Sequence, residues 1–230
     1  MGEFKTYTFK KGTHKSRPIV MDSLRLRHKV QSREFECMLT KSCIYIFRKD
    51  GSSALHPDQW DFSKLRGNSH CVLDNHINSY MGAWRWDPVN VQFDLTSYFH
   101  VNGERYISPG RVQILDSDNY TPLQAVGSQR FTRFPGQLVK SFDSLLHYKL
   151  LEKVQVMATV VPNEPFRYRL LTDWDNMRFG VGFKATSTHM LWRDDWTGML
   201  EANVVTRDIL HWFGGNMKAP HKMQLKERKM

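Results

Sequence analysis

Ten histidines are the first residues in this chain that could do chemistry, and the chemistry they suggest is metal binding. No two of them stand at HxH or HxxxH spacing, the arrangements that bring two imidazoles onto one face of a strand or helix. The nearest gathering is His70, Cys71, Asp74 and His76. Its donor types suit zinc, but the segment reads more simply as a solvated polar turn, so no metal and no other cofactor is expected. Carboxylates occur in pairs flanked by indoles, as Asp173-Trp174-Asp175 and Trp192-Arg193-Asp194-Asp195-Trp196. Trp174, Trp192 and Trp196 with these acids have the chemistry of a sugar ledge, where rings stack on indole and hydroxyls bond to carboxylate. The plainer reading is two loops anchored in a core.

Nucleophilic chemistry has no footing. There is no G-x-S-x-G elbow, no glycine-rich phosphate loop, and no kinase or dinucleotide-binding signature. No acid, base and nucleophile can be named that spacing brings together, so a non-enzymatic protein is expected. Aromatic and basic residues do alternate in Trp84-Arg85-Trp86, Arg130-Phe131-Thr132-Arg133-Phe134 and Phe166-Arg167-Tyr168-Arg169. On a strand that alternation sends rings to one face and arginines to the other, whereas a nucleic-acid surface needs both on the same face.

The basic N-terminal segment differs, because Lys10–Pro18 is a turn-rich cluster with no apolar side, and the C-terminal end is basic as well. Lys10, Lys11, Lys15 and Arg17 precede Pro18, and Lys218, Lys222, Lys226, Arg228 and Lys229 close the chain. The formal net charge is +10 over 230 residues. Residues 1–33 carry nine basic and two acidic side chains, and residues 218–230 carry five and one. The stretch between them, with 19 basic and 20 acidic residues, is close to neutral. This is the layout of a neutral body with two basic flanks, suited to contact with acidic neighbouring subunits or with nucleic acid.

The elements that must position these residues are strands. From Val91 to Val101 the residues Val91, Phe93, Leu95, Phe99 and Val101 share one side, while Gln92, Asp94, Thr96, Tyr98 and His100 point the other way. Asn102-Gly103 then supplies a two-residue hairpin turn. Similar segments are Tyr7–Lys10, Ile19–Val30, Phe35–Phe47, Tyr80–Trp86, Val112–Leu115, Leu150–Val161, Phe166–Leu171, Arg178–Phe183, Leu200–Val205, Leu210–Phe213 and Met223–Leu225. Helical spacing is confined to Pro57–Leu65 and Ser141–Leu151. About a dozen short strands separated by turns predict an all-β fold, an antiparallel β-sandwich or jelly roll with one or two short helices, in a single domain over 1–230.

With 40% hydrophobic and 24% charged residues the chain has the composition of a globular domain. Three cysteines, Cys37, Cys43 and Cys71, form no disulfide framework and fit a reducing compartment. No signal-peptide run opens the sequence, and no stretch approaches the roughly 18 uncharged apolar residues of a membrane span. A virion or cytoplasmic location without membrane contact is expected.

The order of several short motifs resembles an uncharacterised family of small bacterial and phage proteins. They are Lys10-Lys11-Gly12-Thr13-His14, Ser42-Cys43-Ile44-Tyr45, Asp61-Phe62-Ser63-Lys64-Leu65-Arg66-Gly67, Asn78-Ser79 with Gly82-Ala83-Trp84-Arg85-Trp86, Val101-Asn102-Gly103-Glu104-Arg105, and Trp212-Phe213-Gly214-Gly215-Asn216-Met217-Lys218-Ala219-Pro220-His221. They span nearly the whole chain except from about Pro109 to Thr206. The resemblance implies an all-β, sandwich-like fold and brings no established activity. In the last motif the glycines and Ala219-Pro220 suit a tight turn, with His221 bonding back to the loop. The functional alternative makes Asn216 and His221 ligand contacts at the rim of the sandwich.

Three roles follow. The leading expectation is a virion structural protein, such as a capsid decoration, neck or tail component, whose basic ends lie on acidic surfaces of other subunits in an oligomer. The alternatives are a carbohydrate-binding module and a nucleic-acid-associated basic protein.

Overall fold

The computed structural model describes residues 2–18, 24–26, 30–69, 79–101, 104–107, 111–115, 122–125, 156–173, 178–185, 190–194 and 205–230. Sixteen strands in these residues form two antiparallel sheets packed as a sandwich. The larger sheet runs, from edge to edge, β10 (Pro122–Ala125), β9 (Arg111–Leu115), β14 (Met190–Asp194), β13 (Arg178–Lys184), β12 (Pro165–Asp173), β4 (Val30–Leu39), β16 (Met223–Lys229), β1 (Lys5–Phe9) and β2 (Ser16–Arg17). The smaller sheet runs β11 (Ala158–Val160), β7 (Gln92–Val101), β6 (Ser79–Asp87), β5 (Ser63–Ser69), β15 (Val205–Ile209) and β3 (Leu24–Leu26). β8 (Glu104–Ile107) shares the outer edge of β7 with β11, opposite Tyr98–Val101, while β11 pairs with Phe93–Leu95.

Alternation on the strands builds the space between the sheets. Phe35, Cys37 and Leu39 of β4, Met223 and Leu225 of β16, Tyr7 and Phe9 of β1, and Phe166, Tyr168 and Leu170 of β12 meet Leu65, Tyr80, Trp84, Trp86, Phe93 and Leu95 of the smaller sheet in one buried cluster. Every residue of β6 is buried. Its other face joins a second cluster of Phe62, Met81, Ala83, Tyr98 and Ile209. The residues of β7 expected to face outward are therefore not on an open surface: Asp94 and Thr96 are buried as well as Phe93 and Leu95. Val91 departs from the expected row altogether, since it has φ of 56°, sits in the turn before β7 and is exposed. The expected hairpin is present, with Val101 paired to Glu104 across the two-residue connection.

Pro57–Leu65, expected as a helix, forms a single 3-10 turn over Pro57–Trp60, capped by the His56 ring, which accepts the Asp58 N–H at 3.1 Å. Beyond it β5 takes over, because Lys64 pairs with Ala83 on one side and exchanges backbone hydrogen bonds with Trp212 on the other. Tertiary pairing there overrides local periodicity. The long strand expected over Phe35–Phe47 ends at Leu39. Tyr45 and Phe47 still enter the core, held by the buried Gln59 side chain. Its amide donates to the carbonyls of Tyr45 and Trp86 at 3.3 and 3.1 Å, and its oxygen accepts the Phe47 N–H at 2.7 Å. Gln59 thus supplies the partners that a neighbouring strand would give. The expected helix Ser141–Leu151 lies outside the described residues. No helix among the described residues is long and apolar enough to cross a membrane.

Candidate functional site

The pairing of β1 with β16 makes the two chain ends neighbours, and the loops beyond them are joined residue by residue. After β1 the chain turns at Lys10-Lys11-Gly12-Thr13, where Gly12 has φ of 75° and Thr13 bonds to the Lys10 carbonyl through both its N–H and its hydroxyl. From this turn the Gly12 N–H donates to the Ala219 carbonyl at 2.9 Å, and the Ala219 N–H donates to Thr13 at 3.1 Å. The Phe213 N–H donates to the His14 carbonyl at 2.8 Å, and the Ser16 N–H reaches the His211 carbonyl at 3.4 Å. The His14 ring nitrogen Nδ1 lies 2.9 Å from the Phe213 carbonyl oxygen. That contact holds the imidazole nearly parallel to the half-buried Trp212 indole, 10° apart in plane with centroids 4.9 Å apart.

The Gly-Gly loop fixes the second half of this surface. Gly214 has φ of 62°, donates its N–H to Ser63 Oγ at 2.9 Å, and has no room for a Cβ, which would stand 2.4 Å from the Met217 carbonyl oxygen. A Cβ on Gly215 would lie 2.6 Å from Asp61 Oδ2, the atom that accepts the Asn216 N–H. Asn216 and His221 are both exposed, and His221 Nε2 sits 2.9 Å from the Ser42 carbonyl oxygen. The His221 partner is thus the segment after β4 and not the Gly-Gly loop to which its turn reading tied it.

Six expected contact residues, Lys10, Lys11, Lys15, Arg17, Lys218 and Lys222, gather at this one edge, and all are exposed. The segments 10–18 and 211–222 contain no carboxylate, and none of the six makes an ion pair with a described residue. The other three belong to β16 instead. Lys226 and Lys229 are exposed along it, while Arg228 donates to Glu36 (Nε to Oε2, 2.5 Å) and lies over the Phe4 ring. On that outer face Glu34 and Glu36 of β4 stand between Arg228 and the Arg167–Arg169 pair of β12, with Arg169 bonded to Glu34 at 2.8 Å. Among the described residues, Glu34 and Glu36 thus stand between the arginines of the outer sheet face, whereas the loop segments carry no carboxylate of their own.

Trp174 and Trp196 of the expected sugar ledge, and His70, Cys71, Asp74 and His76, lie outside the described residues. Trp192 is placed by its backbone alone, in β14 between Gly182 and Gln113. Among the described residues no three of His, Cys, Asp and Glu gather in a way that would hold a metal ion.

A second constellation has no counterpart in the sequence reading. β5 carries one residue more than β6 between Lys64 and Gly67, and this bulge turns Arg66 as well as Leu65 into the space between the sheets. There Arg66 Nε donates to Glu227 Oε1 at 2.8 Å, and its Nη2 donates to the Tyr7 hydroxyl at 2.7 Å. Glu227 also accepts the Tyr168 hydroxyl at 2.5 Å and faces His211 Nε2 at 3.3 Å. Nearby, Arg33 pairs with Asp208 and bonds to Asn68, whose amide donates to the Tyr80 hydroxyl at 2.8 Å. Burial works against the Glu227 carboxylate, but His211, Arg66 and the Tyr168 hydroxyl outweigh it and hold its pKa down at about 2. Burial pushes the Tyr168 and Tyr7 phenols up. The signal for this network was strand parity: Glu227 follows Met223 and Leu225 at steps of two, and Arg33 precedes Phe35, Cys37 and Leu39 likewise. Each buried arginine faces a carboxylate of the opposite sheet, Arg66 against Glu227 and Arg33 against Asp208, so removing either partner would leave a buried charge uncompensated.

No protein-family model and no curated protein matches the chain. Among solved structures it is similar to an alginate lyase from Klebsiella pneumoniae, at 9% identity and a TM-score of 0.48, covering 86% of this chain and 58% of that one. It is also similar to a functionally unknown protein from Saccharomyces cerevisiae, at 6% identity and a TM-score of 0.45, covering 99% and 86%. The chain thus spans little more than half the length of the lyase.

Proposed function

We propose that this protein is a non-enzymatic interaction module that holds an anionic macromolecular partner on the edge where its two basic flanks meet. One observation carries the reading: Lys10, Lys11, Lys15, Arg17, Lys218 and Lys222 converge on loops with no carboxylate of their own, whereas the arginines of the outer sheet face have Glu34 and Glu36 beside them. Fixed backbone bonds between the loops present these cations as one surface, which lowers the cost of engaging a charged partner. The virion role expected from the sequence is one form of this reading, in which the anionic partner is an acidic face of a neighbouring subunit.

The test is binding of fluorescein-labelled long-chain polyphosphate, followed by anisotropy at increasing salt. The double variant Lys11→Glu/Lys218→Glu should lose at least tenfold in affinity, while Lys226→Glu/Lys229→Glu on β16 changes it by less than threefold. Wild-type protein that fails to bind, or binds equally well at 50 and 300 mM salt, would refute the proposal.

A further inference from the structure

We infer that the anionic partner of this edge is single-stranded nucleic acid, an inference that rests on the reading above and specifies the ligand class. An acidic protein or a simple polyelectrolyte needs only the cations. This edge also carries a flat aromatic stack, because the backbone bonds that join Lys15 and His14 to Trp212 and Phe213 set the His14 imidazole parallel to the Trp212 indole among those lysines. Rings and cations on one surface are what a strand with unpaired bases requires: phosphates track the charges while a base extends the stack, without regard to its identity. The cations fit this ligand: five of the six are lysines, which bind phosphate as point charges without demanding a fixed geometry. Exposed hydrogen-bonding groups at Asn216 and in the Lys10–Thr13 turn add polar contacts beside the stack.

The test compares fluorescein-labelled dT20, its 20-base-pair duplex, long-chain polyphosphate and poly-glutamate by anisotropy. The protein should bind dT20 more tightly than the other three. With six cations engaged, the affinity for dT20 should fall with a log–log salt slope of about −4, or on the order of 300-fold between 50 and 200 mM salt. His14→Ala should weaken dT20 binding about 5- to 50-fold and leave polyphosphate within twofold, with the circular dichroism spectrum confirming an intact fold. Lys11→Glu/Lys218→Glu should weaken both ligands. If poly-glutamate or the duplex binds as tightly as dT20, or if His14→Ala affects dT20 and polyphosphate alike, the nucleic-acid inference is overturned while the anion-binding reading stands. If neither dT20 nor polyphosphate binds, both fall.

Discussion

Glu227 is the residue whose removal should tell most about how this sandwich holds together. It is 3% exposed, and its two oxygens bond to Arg66 and Tyr168 and face His211. A pKa held at about 2 against an ordinary 4.5 corresponds to about 3 kcal/mol of folding stability. Because the folded-state value is the depressed one, that stability is fully present above pH 4.5 and is lost as pH falls toward 2. Glu227→Gln removes the charge and leaves the Arg66 guanidinium in the core without its carboxylate, at a cost of about 3–5 kcal/mol. Urea denaturation reads this directly. With a slope of about 3 kcal/mol/M for a chain of this size, the midpoint at pH 7 should drop by roughly 1–1.7 M. At pH 3 the wild-type carboxylate is already losing its advantage, so the gap between the two proteins should narrow by about 2 kcal/mol. Arg66→Leu/Glu227→Leu should recover most of the loss, since an apolar pair leaves no buried charge unpaired. A midpoint within 0.2 M of wild type for Glu227→Gln at pH 7, or a gap that stays constant between pH 7 and 3, would refute the account of the network.

Two further outcomes test the packing. Gly67→Ala would place a Cβ 2.4 Å from both the Tyr80 carbonyl oxygen and Met81 Cβ, so β5 must pull away from β6, and a thermal melt should show a Tm lower by about 4–8 °C, equivalent to about 2 kcal/mol; an unchanged Tm would show that the bulge accommodates the methyl group. Cys37 and Cys43 are fully buried, with burial pushing the Cys37 thiol well up and the Cys43 thiol up to about 12. Iodoacetamide followed by mass spectrometry should find both unmodified in native protein and both labelled in urea, and rapid native labelling of either would contradict the core assignment.

Much of the fold was legible because the residues that form the core are spaced by twos. Phe93 and Leu95, Phe166 and Tyr168, Met223 and Leu225 all bury the side that their alternation marks. What alternation did not reveal was burial of the opposite face of the smaller sheet, because Asp94, Thr96 and Arg85 read as solvent residues yet are covered. Arg85 pairs there with Asp94 of the adjacent strand at 2.9 Å and lies over the Trp60 and Phe62 rings, which come from the segment before β5. The bulge in β5 was hidden for a similar reason: Lys64 and Leu65 close the segment with helical spacing, and only the pairing with β6 and Trp212 makes them part of a strand. Of the candidate site, the six cations of the binding edge could be named from composition and turn chemistry, but their convergence and the His14–Trp212 stack depend on bonds spanning about two hundred residues.

The fate of the terminal charges separates those that hold the fold from those left for a partner. Arg33 and Glu227 belong by sequence to the basic flanks, yet both are buried, Arg33 against Asp208 and Glu227 against Arg66 and His211. Arg228 is spent on Glu36 at the outer face of the larger sheet. These partners come from other strands, so each pairing is a consequence of the sandwich closing. The loops that carry the exposed lysines have no carboxylate of their own, and the one carboxylate beside them, Asp61, accepts the Asn216 N–H. Folding therefore pairs Arg33, Glu227 and Arg228 with partners on other elements and brings six exposed flank cations, Lys10, Lys11, Lys15, Arg17, Lys218 and Lys222, to one edge. An uncompensated cluster of that kind raises the energy of the free protein through mutual repulsion, and an anion that relieves the repulsion binds with that energy added to its own contacts. The two flanks, about 200 residues apart in sequence, therefore form one exposed basic edge and not two independent arms.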